Sequence, residues 1–208
     1  MTKAPPSFAG NPGSAGGYDV LAEMLRAVRL TGSVFLEGRF SSPFGIVSPK
    51  QYDEGTALAH IRHISIFHLI AAGECVIEIA TGERKKVSAG DILLLPFADV
   101  HKFWNGEFSE MASAPDLLQT STVSGMWTIR HGGGGSETRM VCGFIESSEF
   151  LFAPVFRALP PLLVEKTGEG KVGALLTSTV REILTLAEAA APGTEFMLGR
   201  LMELLFVE

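Results

Sequence analysis

The feature that most constrains this chain is the rhythm of its middle. Short runs rich in Val, Ile, Phe and Thr occupy residues 33–40, 44–47, 64–70, 74–80, 83–87, 91–95, 101–104, 126–130 and 138–145, and clusters of Gly, Pro, Asp and Ser separate them. Runs of this length and spacing are too short for helices and match the strands of an antiparallel sandwich or barrel. The expected fold is therefore mainly β. Two interruptions break the rhythm. Residues 106–125 carry Met111, Leu117 and Leu118 among Ser, Ala and Asp and are expected to form a helical excursion or lid across one end. His131 and the four glycines after it read as a loose hairpin tip.

The flanks have a different texture. Residues 1–17 are rich in Pro and Gly without periodicity and are expected to be a flexible leader. From Asp19, a fitting N-cap, the apolar residues Leu21, Met24, Leu25, Val28 and Leu30 recur at three- and four-residue steps, as in an amphipathic helix. After Pro154 the pattern turns helical again, first around Leu162, Leu163 and Val164, then over residues 172–190 and 194–208. In the last segment Phe196, Leu198, Leu201, Met202, Leu204, Leu205 and Phe206 leave little polar face, so this helix must pack on its own domain or form a homodimer seam. It reaches Glu208 without a cap, which reads as a stop inside a longer helix. The expected organisation is a leader over 1–17, a β domain with an opening helix over 18–153, and a C-terminal helical dimerisation or linker region over 154–208.

Composition narrows the function. With 17 basic and 23 acidic side chains and a net charge of −6, the chain has no general cationic surface to neutralise phosphates and is not expected to bind DNA unaided. No apolar run approaches the roughly 20 residues a spanning helix needs, so no membrane role is expected. The N-terminus lacks the apolar stretch of a secretory signal, and two cysteines are too few for a disulfide framework, so the expected location is the cytoplasm.

Four of the five histidines, His60, His63, His68 and His101, fall in the β block. Successive side chains of a strand point to opposite faces, and polar residues normally mark the outside. Ser65 then sends Ile64, Ile66, His68 and Ile70 inward; Glu78 does the same for Cys75, Ile77 and Ile79; Lys102 for His101 and Phe103; and Arg139 for Met140, Cys142 and Phe144. Trp104 needs cover from elsewhere. His68, Cys75, His101 and Cys142 thus share the expected interior, and two imidazoles with two thiols match the tetrahedral set zinc favours. Four ligands would make a closed structural site, whereas three plus water would leave an open position. The alternative is that both cysteines are small buried hydrophobes and both histidines satisfied core residues. His60 is in register with the inward set and is the best substitute ligand; His63 has the opposite parity. No Gly-x-Ser-x-Gly elbow, phosphate loop or Gly-x-Gly-x-x-Gly fingerprint is present.

The run from Gly90 and Asp91 through Pro96 and Ala98 to His101 and Asn105 resembles the second cupin motif, with Ala98 where the motif has its second Gly. The resemblance implies a metal-ligand position for His101. The first motif is poorly kept, with His60 at its first His but Arg62 at its second and Ile66 at its Glu, so the usual three-His, one-Glu centre is broken. A longer series of motifs is similar to the N-terminal cupin domain of AraC-family transcriptional regulators. These are the opening helix with residues 30–35, Phe67-His68 leading to Gly73 and Cys75, Gly90 to His101, Arg139 to Phe144, Leu159-Pro160-Pro161, and the closing run from Arg200. That resemblance implies an antiparallel double-stranded β-helix, or jelly-roll barrel, with an N-terminal helix and a C-terminal helical region. It also implies a non-enzymatic module that senses a small-molecule effector or metal, dimerises through its last helices, and reaches DNA only through a helix-turn-helix domain absent here.

Two alternatives stand beside this reading. A small metal-dependent, dioxygenase-like cupin enzyme would use His101, His60 and one further inward residue around an open iron or manganese. A metal-free ligand barrel would line or close an apolar pocket with Ile77, Phe103, Trp104 and Phe144, with His60 beside them.

Overall fold

The structure, a computed structural model, describes residues 31–49, 64–108, 110–120, 127–146 and 158–166, together with the single positions Ser178, Glu182, Thr185, Met197 and Arg200. Its strands are β1 (Thr31–Ser41), β2 (Phe44–Ser48), β3 (Ile64–Ala72), β4 (Glu74–Ile79), β5 (Arg84–Ser88), β6 (Asp91–Leu95), β7 (His101–Asn105), β8 (Ala112–Ser113), β9 (Gln119–Thr120), β10 (Trp127–Gly132), β11 (Glu137–Glu146) and β12 (Leu163–Lys166). They form two sheets, one of seven strands in the order β12-β6-β3-β11-β1-β10-β9 and one of five in the order β5-β4-β7-β2-β8. The mainly β expectation holds among the described residues, and all nine expected strands are present, eight with shifted ends and β6 with the ends expected.

The alternation that assigned faces is the alternation seen in burial. Cys75, Ile77 and Ile79 of β4, His101 and Phe103 of β7, Phe44 and Ile46 of β2, Leu36 and Phe40 of β1, and Met140 and Cys142 of β11 are all buried. With Ile66, Ile70, Leu93, Leu95 and Ile129 from the larger sheet they form the core between the layers. One inference from parity fails. Ser65 lies opposite the core-facing side of β3 as expected, but it is fully buried and donates to the Pro96 carbonyl at 2.9 Å. Phe67 and Leu69 on that side are buried too, so β3 is covered on both faces, as a central strand of a wide sheet can be.

Three segments depart from expectation. The interruption at 106–125 is no helical lid where it is described. It contains β8, a single 3-10 turn at Pro115–Leu117, and β9. β8 extends the smaller sheet beside β2 and β9 extends the larger sheet beside β10, so the segment links the edges of both layers. Pro115 fits the start of one turn, and the residues after it are taken up by sheet pairing.

The glycine run after His131 is not a hairpin tip either. β10 runs parallel to β1 and β11 antiparallel to it on the other side, so the loop between them crosses the end of β1. It is tied there by Gly133 N–H to the Ser41 and Pro43 carbonyls at 2.9 and 3.0 Å, and by Gly135 N–H to the Ser42 carbonyl at 2.8 Å. A Cβ on Gly132, whose φ is +135°, would sit 1.8 Å from the Ser41 carbonyl oxygen. Close approach of two backbones is the physical reason for glycine there.

The third departure is β12, in the region expected to be helical. Leu163–Lys166 pairs antiparallel with β6 and closes the edge of the larger sheet. Pro160 and Pro161 favour extended backbone just before it, and the open edge of β6 supplies the ladder that local helical preference could not outweigh. The opening helix over 18–30 lies outside the described residues. So do the C-terminal helices, apart from the five single positions named above, whose backbone is helical.

Candidate functional site

The second-motif turn sets up one end of the site. Gly90, at φ +94°, and Asp91 make a side-chain-closed turn in which the Asp91 carboxylate accepts from Ser88 N–H at 2.9 Å. β6 then runs to a second turn, where Ala98 N–H bonds the Leu95 carbonyl at 3.2 Å. Ala98 takes φ +49°, the left-handed conformation for which the motif has glycine, and its methyl is fully buried. The turn delivers His101 as the first residue of β7.

His68 and Cys142 are direct cross-strand partners in the larger sheet, and this register brings His68 Nδ1 to 2.8 Å from Cys142 Sγ. His68 Nε2 reaches across the core to His101 Nε2 of the smaller sheet at 2.9 Å, and His101 Nδ1 lies 2.8 Å from the Asp99 carbonyl oxygen. A carbonyl only accepts, so His101 Nδ1 is the donor there. A neutral His101 must then accept at Nε2, His68 must donate from Nε2 and accept at Nδ1, and the Cys142 thiol must donate to it. One carbonyl thus orients a four-group chain running from Cys142 through both imidazoles to Asp99.

The electrostatics keep that chain neutral. Burial holds His68 well below the usual histidine range, and a charge on His101 would lower it further. Burial brings His101 down to about 4, against the opposing pull of the Asp99 carbonyl and carboxylate. Burial pushes the Cys142 thiol up strongly, with the neighbouring Cys75 acting in the same direction. Cys75 itself is pushed up to about 12 by burial, with Glu74 adding to the effect. Phe103 seals the chain, its ring edge-on to His68 at 4.9 Å and to His101 at 5.5 Å between centroids.

Of the expected zinc ligands, the fold therefore gathers His68, His101 and Cys142 in a chain, with Cys75 close enough to act on Cys142. They do not converge on one point. A single imidazole cannot turn both nitrogens toward one metal, and His68 uses its two in opposite directions. Among the described residues no group of three or more His, Cys, Asp or Glu is arranged to hold a metal ion. The donor set as placed does not fit a zinc centre.

The expected pocket residues divide. Ile77 and Phe103 are in the core, and Phe144 packs on its rim. Trp104 is on the opposite face of β7, beside Phe108 at 6.5 Å and under the Arg84 guanidinium at 5.5 Å, so it does not line the interior. The cover that Trp104 needed does come from the following segment. His60 lies outside the described residues. Sequence reasoning missed the Asp99 carbonyl, whose signal was the turn between Pro96 and His101.

A two-layered, mainly antiparallel β-sandwich built around a second-motif turn and an inward His101 fits the cupin class. The family model described as cupin matches residues 19–208, and the chain belongs to the cupin family. Among solved structures the chain is similar to YhaK from Escherichia coli, at 15% identity and TM-score 0.35, over 70% of this chain and 44% of that one. It is also similar to ToxT from Vibrio cholerae O395, at 13% identity and TM-score 0.37, over 88% of this chain and 52% of that one. A further ToxT structure, bound to (E)-4-(8-methylnaphthalen-1-yl)but-3-enoic acid, matches at 12% identity and TM-score 0.36, over 86% of this chain and 54% of that one. The chain spans about half the length of these proteins. No curated protein matches it. No helix among the described residues is long and apolar enough to cross a membrane.

Proposed function

We propose that this chain is the effector-sensing domain of an AraC-type transcription regulator, a non-enzymatic module that binds a small molecule, dimerises through its C-terminal helices in the cytoplasm, and passes its state to a helix-turn-helix domain. Membership of the cupin family over residues 19–208, together with the motif series similar to the N-terminal domain of AraC-family regulators, carries this reading. The site chemistry supports it. Both His101 nitrogens are engaged, Nε2 with His68 and Nδ1 with Asp99, which leaves no open imidazole face for the iron or manganese of a dioxygenase-like enzyme. Burial holds His68 and His101 neutral and the Cys75 and Cys142 thiols protonated, so none of these four groups is poised as a nucleophile or general acid near neutral pH.

Zinc is the second reading, favoured by one observation: two imidazoles and a thiol already touch in one buried patch. It requires His68 to swing so that one nitrogen alone faces the shared point, and Cys142 to lose its proton.

The regulator reading is tested by joining the chain to an AraC-type DNA-binding domain and measuring promoter occupancy against a small-molecule library. Occupancy that changes with a ligand shown to raise the domain's Tm is the expected result. Occupancy unchanged by every ligand that binds overturns it.

A further inference from the structure

The larger sheet carries a line of arginines on the face turned away from the core. Arg39 of β1 is in register with Arg130 of β10 on one side and with Arg139 of β11 on the other. Three guanidinium side chains therefore stand on adjacent strands at one level, in a chain whose net charge is −6. Like charges directly opposite across strands repel unless something neutralises them. Between Arg39 and Arg139 that is Glu37, whose Oε1 accepts from Arg39 Nε at 3.0 Å and from Arg139 Nε at 2.7 Å. On the other side no carboxylate does the same: Arg130 is exposed and has no ion-pair partner among the described residues.

That uncompensated side is concave. A cleft of about 340 Å³ opens between β1 and β10, lined by Arg39, Arg130, Ser41, His131 and Glu137 among others. The volume is at the lower end of small-molecule sites, which run from roughly 300 to 1,000 Å³. Its wall carries two guanidiniums and the carboxylate of Glu137. Arg39 is also paired through Nε and Nη2 with Glu37, which it shares with Arg139, so the charge of the wall without an ion-pair partner among the described residues is that of Arg130. Planar guanidinium forks match the geometry of carboxylate and phosphate oxygens and bind them through paired, charge-assisted hydrogen bonds.

We propose that this cleft is a binding site for a small oxyanion, a carboxylate or phosphate group held between Arg39 and Arg130. The bound anion supplies on the β10 side of Arg39 the neutralisation that Glu37 supplies on the β11 side. The site is on the outer face of the sheet, separate from the histidine chain in the core, and rests on register and charge alone, independent of the regulator reading.

The test is calorimetric titration of the 208-residue protein with inorganic phosphate and, separately, with citrate, at constant ionic strength set with sodium chloride. Saturable binding at one site per chain is expected. It should weaken about tenfold or more in Arg130→Gln, the loss of one charge-assisted paired contact, and stay unchanged in Lys166→Gln, which removes the same charge from β12. Binding of phosphate alone assigns the phosphate class, and binding of citrate alone the carboxylate class; both support the site. Arg130→Lys, which keeps the charge but not the fork, should lose part of the affinity and covers the case in which the glutamine variant fails to fold. Titrations that do not saturate, or that are the same in wild type and the Arg130 variants, overturn the proposal. A DNA oligomer or heparin that binds more tightly and is not displaced by either anion overturns the assignment to a small molecule.

Discussion

His68 Nε2 lies 2.9 Å from His101 Nε2, so two imidazoles from opposite sheets share a single proton at the centre of the core. Two protonated nitrogens cannot face each other at that distance in a dry interior, and two bare ones would forgo the bond. The contact therefore requires one protonated and one bare nitrogen, and because burial disfavours a charge on either ring it makes the cohesion of the two layers depend on pH.

The dependence has a definite sign. His101 titrates at about 4 in the folded protein against an ordinary value of 6.5, and His68 is lowered as well. Between those limits the unfolded chain takes up protons that the folded chain refuses, so stability is full above pH 6.5 and falls as the pH drops toward 4. His101 alone accounts for about 3 kcal/mol over that interval. Urea denaturation from pH 7.5 to 4 should show the loss, and His101→Phe should make the profile shallower while leaving the share due to His68. A wild-type profile flat down to pH 4.5 would contradict the account.

Cys142 anchors the chain as a donor, which distinguishes two substitutions. Cys142→Ala leaves His68 Nδ1 buried without a donor and opens a small cavity, a cost of about 2 kcal/mol. Cys142→Ser keeps an O–H to donate and should cost less than Ala. Chemical denaturation of both variants at pH 7.5 checks the order. Equal losses would show that the thiol acts only as a packed apolar group.

At the alkaline end the thiols set the trend. Cys75 is raised from 9 to about 12 and Cys142 is raised too, so above pH 9 the unfolded chain releases protons that the folded chain keeps, and stability falls as the pH rises. Native protein at pH 8 should therefore react with a thiol reagent at Cys75 and Cys142 only as fast as it opens. Rapid labelling of either cysteine in the folded protein would contradict this.

Backbone constraints give a further prediction. Gly132→Ala drives a methyl into the Ser41 carbonyl and breaks the crossing over β1, at a cost of about 3 kcal/mol or more. Ala98→Gly exchanges about 1 kcal/mol of left-handed strain for about the same amount of lost methyl burial and should be near neutral. Ala98→Val, branched at Cβ in the same conformation, should be strongly destabilising. Thermal denaturation ranks the three.

The parity of four strands put His68, Cys75, His101 and Cys142 in one interior from sequence alone, because core burial on alternate positions leaves a direct trace in residue type. Their mutual geometry left no such trace. Whether His68 turns its nitrogens toward one metal or toward two partners is decided by cross-strand register with Cys142 and by the distance between sheets, neither of which is written locally. The same limit explains β12 and the glycine crossing. Leu163 and Val164 suit helix or strand equally until the open edge of β6 is known, and four glycines mark a tight path without saying which strand it passes over. The arginine line was invisible for the same reason, since Arg39, Arg130 and Arg139 become neighbours only through the β10-β1-β11 order.

The most direct test of the central claim, a neutral hydrogen-bonded core in a sensing cupin, is the metal content of protein purified without chelator, in moles per chain. The account predicts no metal at a stoichiometric level, with the thermal midpoint unchanged by added chelator. About one zinc, iron or manganese per chain, lost together with stability when a chelator is added, would contradict it.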